Sequence, residues 1–276
     1  MSIIQTFAEM FSYSFMVRAI VAGTLISLCA SLLGVSLVLK RYSMIGDGLS
    51  HVGFGCLAIA SALNISTPLY FAIPIVIIAA FFMLKLTESS KIKGDSAIAI
   101  VSSSAMAIGI ITASFSSGMN TDIHNYLFGS ILAMSDNDMI ICCGLSVIVS
   151  VLFVLFYNRI FAVTFDDTFA RATGTKSGRY NMIIAVLTAV TVVIGMKIMG
   201  TLLISSLIIF PALTSMRVCK RFFSVIICSA VLSVFNFIVG ITCSYVFEAA
   251  TGATIVVINL LMFIAFSIVR LVRSRG

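Results

Sequence analysis

Two side chains with metal-ligand chemistry, Asp47 and His51, stand four residues apart in the stretch Gly46-Asp47-Gly48-Leu49-Ser50-His51-Val52. On a helix this spacing stacks a carboxylate and an imidazole on one face. Such a pair can hold a divalent cation or share a proton. A mixed oxygen and nitrogen donor set suits borderline first-row ions such as zinc, manganese or ferrous iron. Ser50 shares the face and could add an oxygen, whereas Cys56 is turned about 140° away from His51 on a helix. One chain offers too few ligands for a firm four-coordinate site. Two chains across a symmetric pore would offer two Asp and two His. A structural role competes with this one, in which Asp47 caps the helix and His51 pairs with it.

The elements that must position the pair are apolar on both sides, from Val17 to Leu39 and from Val52 to Leu63. Hydrophobic residues make up 61% of the 276 positions and charged residues 10%, against about 25% charged in a soluble domain. Such a chain cannot cover itself with polar groups in water, so it is expected to be a single polytopic membrane domain spanning residues 1–276. An ionised Asp at the centre of a membrane helix costs roughly 2.5–3.5 kcal/mol on insertion scales. A function is therefore expected of Asp47.

Apolar segments run over Phe15–Leu39, Gly46–Leu63, Leu69–Leu86, Ser96–Ser114, Asn137–Tyr157, Tyr180–Met196, Gly200–Met216, Phe222–Phe247 and Thr251–Leu271. Each is near the roughly 20 residues that cross a bilayer. They predict an all-α polytopic protein of about eight to nine transmembrane helices. The fourth, rich in Ser, Ala and Gly, suits close helix packing. Residues Met1 to Ser14 are weakly amphipathic and are expected at the interface. No internal repeat relates Gly23–Leu39 to Gly200–Arg217.

The net charge is +7, yet the basic residues form no patch, and this excludes a nucleic-acid surface. They punctuate the connections after segments 1, 3, 5 and 7 and the C-terminus. Connections after segments 2, 4 and 8 lack Lys and Arg altogether, with Lys197 after segment 6 as the exception. This alternation predicts an external N-terminus and a cytoplasmic C-terminus. The seven Cys residues form no Cys-x-x-Cys pair, so they read as small apolar residues and not as a zinc site. Gly174-Thr175-Lys176-Ser177 lacks the leading glycine of a phosphate loop, since Phe169 holds that position. ATP binding and intramembrane proteolysis have no motif.

Three further groups carry polar chemistry. Asp166 and Asp167 precede Arg171 in Phe165-Asp166-Asp167-Thr168-Phe169-Ala170-Arg171-Ala172-Thr173-Gly174, which fits a short helix with dipole-matched ends. Gly174 closes it in a left-handed cap, making a knob on which a soluble partner could dock. Asp122 and His124 lie in an outer connection and could receive an incoming cation, although such residues are routine in loops. Arg18, at the outer end of the first segment, is expected to snorkel or to meet an external acidic partner.

Four stretches together resemble one family. They are Gly46-Asp-Gly-Leu-Ser-His-Val, Tyr126-Leu-Phe-Gly-Ser-Ile-Leu, Phe165-Asp-Asp-Thr-Phe-Ala-Arg-Ala-Thr-Gly and Met199-Gly-Thr-Leu-Leu-Ile-Ser-Ser-Leu-Ile-Ile-Phe-Pro-Ala. The family is the membrane permease subunit of the zinc/manganese/iron ATP-binding-cassette importers. The resemblance implies a vitamin-B12-importer-like (type II) permease fold in a bacterial cytoplasmic membrane. It implies a homodimer with the pore between subunits, two separate ATPase subunits inside and a metal-binding protein outside. No permanent cofactor is implied, only a transported metal ion. Asp47 and His51 match the family's pore residues, Phe165 to Gly174 its ATPase-docking loop, and Arg18 a positive residue that meets the binding protein. The rival expectation is a proton-coupled secondary transporter in which Asp47 and His51 relay a proton.

Overall fold

In a computed structural model of the chain, residues 11–65, 67–89, 94–115, 127, 129 and 135–273 are described. They form α1 (Ser14–Leu39), α2 (Ser43–Ala62), α3 (Pro68–Ser89), α4 (Gly94–Ser114) and α5 (Asp136–Leu155). After these come α6 (Tyr157–Phe165), α7 (Asp167–Ala172), α8 (Ser177–Met199), α9 (Thr201–Val218), α10 (Phe222–Phe247) and α11 (Thr251–Arg273). All but α6 and α7 are long and apolar enough to cross a membrane, making 9 such helices among the described residues. A helix satisfies its backbone polar groups within its own segment, which a hydrocarbon solvent requires. The all-α, multi-pass architecture expected from composition is the one observed.

The helices divide into a buried centre and a lipid-facing periphery. Over their most apolar stretches α2 and α8 are each 72% buried, α1 67% and α9 61%. The corresponding shares for α5 and α11 are 22% and 11%. Around this centre α1 packs on α9, α10 and α5, while α2 packs on α4, α3, α8 and α9. The α2–α4 seam is closed by two glycines. A Cβ on Gly109 would lie 2.7 Å from the Gly55 Cα, and one on Gly55 would lie 2.6 Å from the Ala105 carbonyl oxygen. Small residues in the fourth span therefore serve the close packing expected of them.

The connections are tight. α1 reverses into α2 through Lys40-Arg41-Tyr42, where the Tyr42 N–H donates to the Leu37 carbonyl at 2.8 Å. Gly200 alone separates α8 from α9, with φ 85° and ψ 162°. Lys40, Tyr42, Thr164, Arg171 and Asn181 share one end of the bundle, where they line a common cleft. Thr67, Pro68, Ser135, Asp138 and Lys197 share the other. Connections that the basic residues assign to one side thus lie together.

Candidate functional site

Asp47 and His51 lie on α2, which begins at Ser43, three residues before the expected start at Gly46. Tyr42 occupies the N-cap position, so the reading of Asp47 as the helix cap is overturned. The carboxylate stands about 6 Å along the axis from Ser43, at 1.5 Å per residue, and the imidazole about 12 Å. The pair therefore sits inside the span, in the half nearest the basic end.

The side chains meet as their spacing requires. His51 Nε2 lies 3.6 Å from Asp47 Oδ2, with side-chain exposures of 23% and 36%. That distance is too long for a hydrogen bond. Asp47 Oδ1 instead accepts a hydrogen bond from Ser205 Oγ on α9, at 3.1 Å. His51 Nδ1 is buried with no hydrogen-bond partner among the described residues. A partly exposed carboxylate with no Lys or Arg paired to it among the described residues, beside an imidazole with a buried, unpartnered nitrogen, has the oxygen and nitrogen donors that can ligate a divalent cation. The chemistry of the two side chains fits a divalent ion.

Ser50, expected as a possible third oxygen, turns its hydrogen to the backbone. Its hydroxyl donates to the Asp47 backbone carbonyl at 2.7 Å, and the residue is buried. Cys56 is buried in the core, as its angle on the helix predicts. Every Cys is a free thiol. Among the described residues no group of three or more His, Cys, Asp or Glu converges, so one chain presents only the two ligands.

At the basic end the expected short helix is α7. Asp166 is its N-cap, accepting from the Phe169 N–H at 2.9 Å. Asp167 in the first turn meets Arg171 in the last at 2.7 Å, each at the helix end that favours its charge. Gly174 adopts φ 81°. Its N–H donates to the Arg171 carbonyl at 3.0 Å and the Thr175 N–H to the Ala170 carbonyl at 2.9 Å. This is the two-bond left-handed termination that glycine permits. Ala170 is buried, whereas Phe165 is 62% and Phe169 65% exposed. The Phe165 ring contacts Phe161 at 5.0 Å and Phe222 at 5.9 Å. An aromatic base thus fixes a knob whose outer rings have no cover in this chain.

The opposite end holds two ion pairs that sequence reasoning did not find. Arg18 on α1 pairs with Asp136, and Lys197 on α8 pairs with Asp138 at 2.5 Å. Both acids lie in the first turn of α5, where Ser135 caps the helix by accepting from the Asp138 N–H at 3.2 Å. Lys197, the exception to the basic-side pattern, is therefore neutralised inside the bundle. Arg18 reaches an acid of its own chain, although Asp136 remains 82% exposed. Asp122 and His124 lie outside the described residues, as does most of the Tyr126–Leu132 stretch, in which only Leu127 and Gly129 are described.

Comparison with known proteins gives the family. The profile of the ABC 3 transport family matches residues 12–270. The chain belongs to that family. Among ABC 3 relatives, the manganese import system permease protein ScaB of Streptococcus gordonii is 31% identical over 264 residues, covering 95% of this chain and 94% of that one. The high-affinity zinc uptake system membrane protein ZnuB of Haemophilus influenzae is 29% identical, covering 89% and 94%. Among solved structures, PsaBC from Streptococcus pneumoniae in complex with Fab superposes with a TM-score of 0.86 at 28% identity, over 96% of this chain and 95% of that chain. With its nine apolar helices, this ABC 3 member is a multi-pass protein of the bacterial cytoplasmic membrane.

Proposed function

We propose that this chain is the permease subunit of an ATP-driven importer of divalent transition-metal ions, namely manganese, zinc or iron. The observation that carries the reading is the Asp47–His51 pair. It is a carboxylate and an imidazole a turn apart on one of the two most buried membrane helices, partly exposed, with no Lys or Arg against them. Family membership and the names of the manganese and zinc relatives support the same cargo.

Two ligands per chain favour a homodimer, because two copies about a shared pore double the set to four. Asp47 and His51 then coordinate the partly dehydrated ion while it pauses. Loose coordination serves transport, since an ion held too well does not leave. α7, with its exposed Phe165 and Phe169 and its glycine cap, is the docking element for a separate ATPase subunit. Closure of two ATPases would push α7 against α6 and the start of α10 and tilt the spans between inward-open and outward-open states. Arg18, beside the exposed Asp136, is proposed to meet a metal-binding protein outside, and Asp122 and His124 to receive the ion at the outer mouth.

The deciding experiment is uptake of radioactive manganese or zinc into liposomes. The purified chain alone with a proton gradient is compared with the chain plus its ATPase and ATP. ATP-dependent uptake is expected. Uptake by the chain alone, driven by the gradient, would establish the proton-coupled transporter instead.

A further inference from the structure

The hydroxyl of Ser205 has one hydrogen and two acceptors. Its Oγ lies 3.1 Å from Asp47 Oδ1 and 3.0 Å from the carbonyl oxygen of Thr201, one turn back on its own helix. The second contact is ordinary for a hydroxyl in an apolar helix. Elsewhere on α9, Ser206 donates to the Leu203 carbonyl, Thr214 to that of Phe210 and Ser215 to that of Ala212. Only Ser205, among the described hydroxyls of α9, also reaches a carboxylate. Ser50 Oγ stands 3.5 Å from Ser205 Oγ. Because its own hydrogen is directed to the Asp47 carbonyl at 2.7 Å, it does not compete for Asp47 Oδ1.

We infer that Ser205 is a positioning residue of the Asp47–His51 site and works as a two-position donor. When the site is empty its hydrogen rests on Asp47 Oδ1. When a cation sits on the carboxylate, the hydroxyl rotates to the Thr201 carbonyl and leaves Asp47 to the ion. The inference rests on the reading of Asp47 and His51 as the ion's stopping place.

The geometry makes the exchange easy. Both acceptors lie at hydrogen-bond distance, so a rotation about the C–O bond moves the hydrogen with no shift of helix or side chain. The hydroxyl oxygen stays satisfied in either position, which matters in a site that is mostly buried. An empty carboxylate in a membrane helix needs a donor, and among the described residues no Lys or Arg pairs with Asp47. Ser205 supplies that donor only while the ion is absent. It therefore stabilises the empty site relative to the loaded one, loosening the grip on the ion and speeding its departure. The donor comes from α9 while both ligands come from α2, so a relative movement of these two helices would change the grip.

The test is equilibrium titration of manganese or zinc into the assembled transporter in lipid nanodiscs without ATP, with Ser205→Ala and Ser205→Thr beside the parent. Removing the hydroxyl is expected to tighten Kd by about tenfold, the factor expected for the difference between a hydrogen bond to a charged carboxylate and one to a neutral carbonyl. The maximal uptake rate should fall in parallel as exit slows. Ser205→Thr, which keeps the hydroxyl, is expected at the parental Kd. A purely structural lesion would lower the amount of active transporter and leave Kd where it was. Unchanged or weakened binding in Ser205→Ala would overturn the inference, and so would equal tightening in both variants, which would assign the effect to side-chain volume. Asp47→Asn in the same titration separates the two levels. If it binds as the parent does, the stopping-place reading fails; if it loses binding while Ser205→Ala matches the parent, only the donor exchange fails.

Discussion

Asp138 and Asp47 are both partly buried acids within the first two turns of their membrane helices, yet their surroundings differ. Asp138 is 25% exposed and meets the Lys197 ammonium at 2.5 Å. Asp47 is 36% exposed, and the nearest ionisable group is an imidazole at 3.6 Å. The first acid is neutralised by a resident cation and ties α5 to α8. The second accepts a hydrogen bond from one neutral donor, Ser205, and has no Lys or Arg partner among the described residues. An acid with a permanent partner is structure. An acid that lacks one, in a medium where charge is costly, is what the proposed stopping place for a passing cation requires.

The sharpest break in this comparison is at Asp47 and His51 themselves. Asp47→Ala and His51→Ala are each expected to reduce metal uptake to background while the same amount of protein inserts in the membrane. Normal uptake in both would reduce the pair to the status of Asp138. Next is Gly174→Val at the basic end. A β-branched residue at φ 81° costs at least about 1–2 kcal/mol in the left-handed region and should loosen the end of α7. ATP hydrolysis is then expected to continue with uptake reduced several-fold, and a preserved ratio of uptake to hydrolysis would count against α7 as the docking element.

Smaller effects are expected where the acid already has its cation. Lys197→Ala leaves Asp138 partly buried without its partner and should cost about 1–3 kcal/mol. It would be read as a lower unfolding midpoint in detergent, relieved in the double variant Lys197→Ala/Asp138→Ala. No change in the single variant would mean that the pair is not structural. Arg18→Glu is expected to have the least effect on stability, under about 1 kcal/mol, because the partner carboxylate of Arg18 is exposed. Its expected effect is weaker capture of the external metal-binding protein, more so at low salt. Equal capture by parent and variant would leave Arg18 with Asp136 alone.

The helices themselves were legible from hydropathy, and nearly every span was placed to within a turn, because lipid imposes length and apolarity on each segment separately. The two-bond end of α7 at Gly174 was legible for a similar reason, since cap chemistry acts between residues a few positions apart. The ion pairs on α5 were not. Arg18 and Asp136 are far apart in the chain, and only the packing of α1 on α5 brings them together. The start of α2 was misplaced because Ser43-Met44-Ile45 carries no break from the turn before it. Ser205 left a faint sign as one of two adjacent serines, Ser205 and Ser206, in an apolar helix, but nothing in that pair says which of them faces Asp47.

The amino-acid order alone determined that Asp47 and His51 share a face, since a four-residue step on a helix allows nothing else, and that both lie within a membrane span. Which way that face points was decided only in three dimensions. α2 is the least apolar of the nine spans, with mean hydropathy 1.2, and is 72% buried, whereas α11 has mean hydropathy 2.6 and is 11% buried. In lipid the polar helix is drawn inward and the most apolar one is left outside. That ordering comes from competition among all nine helices for the centre of the bundle, and it set Ser205 against Asp47.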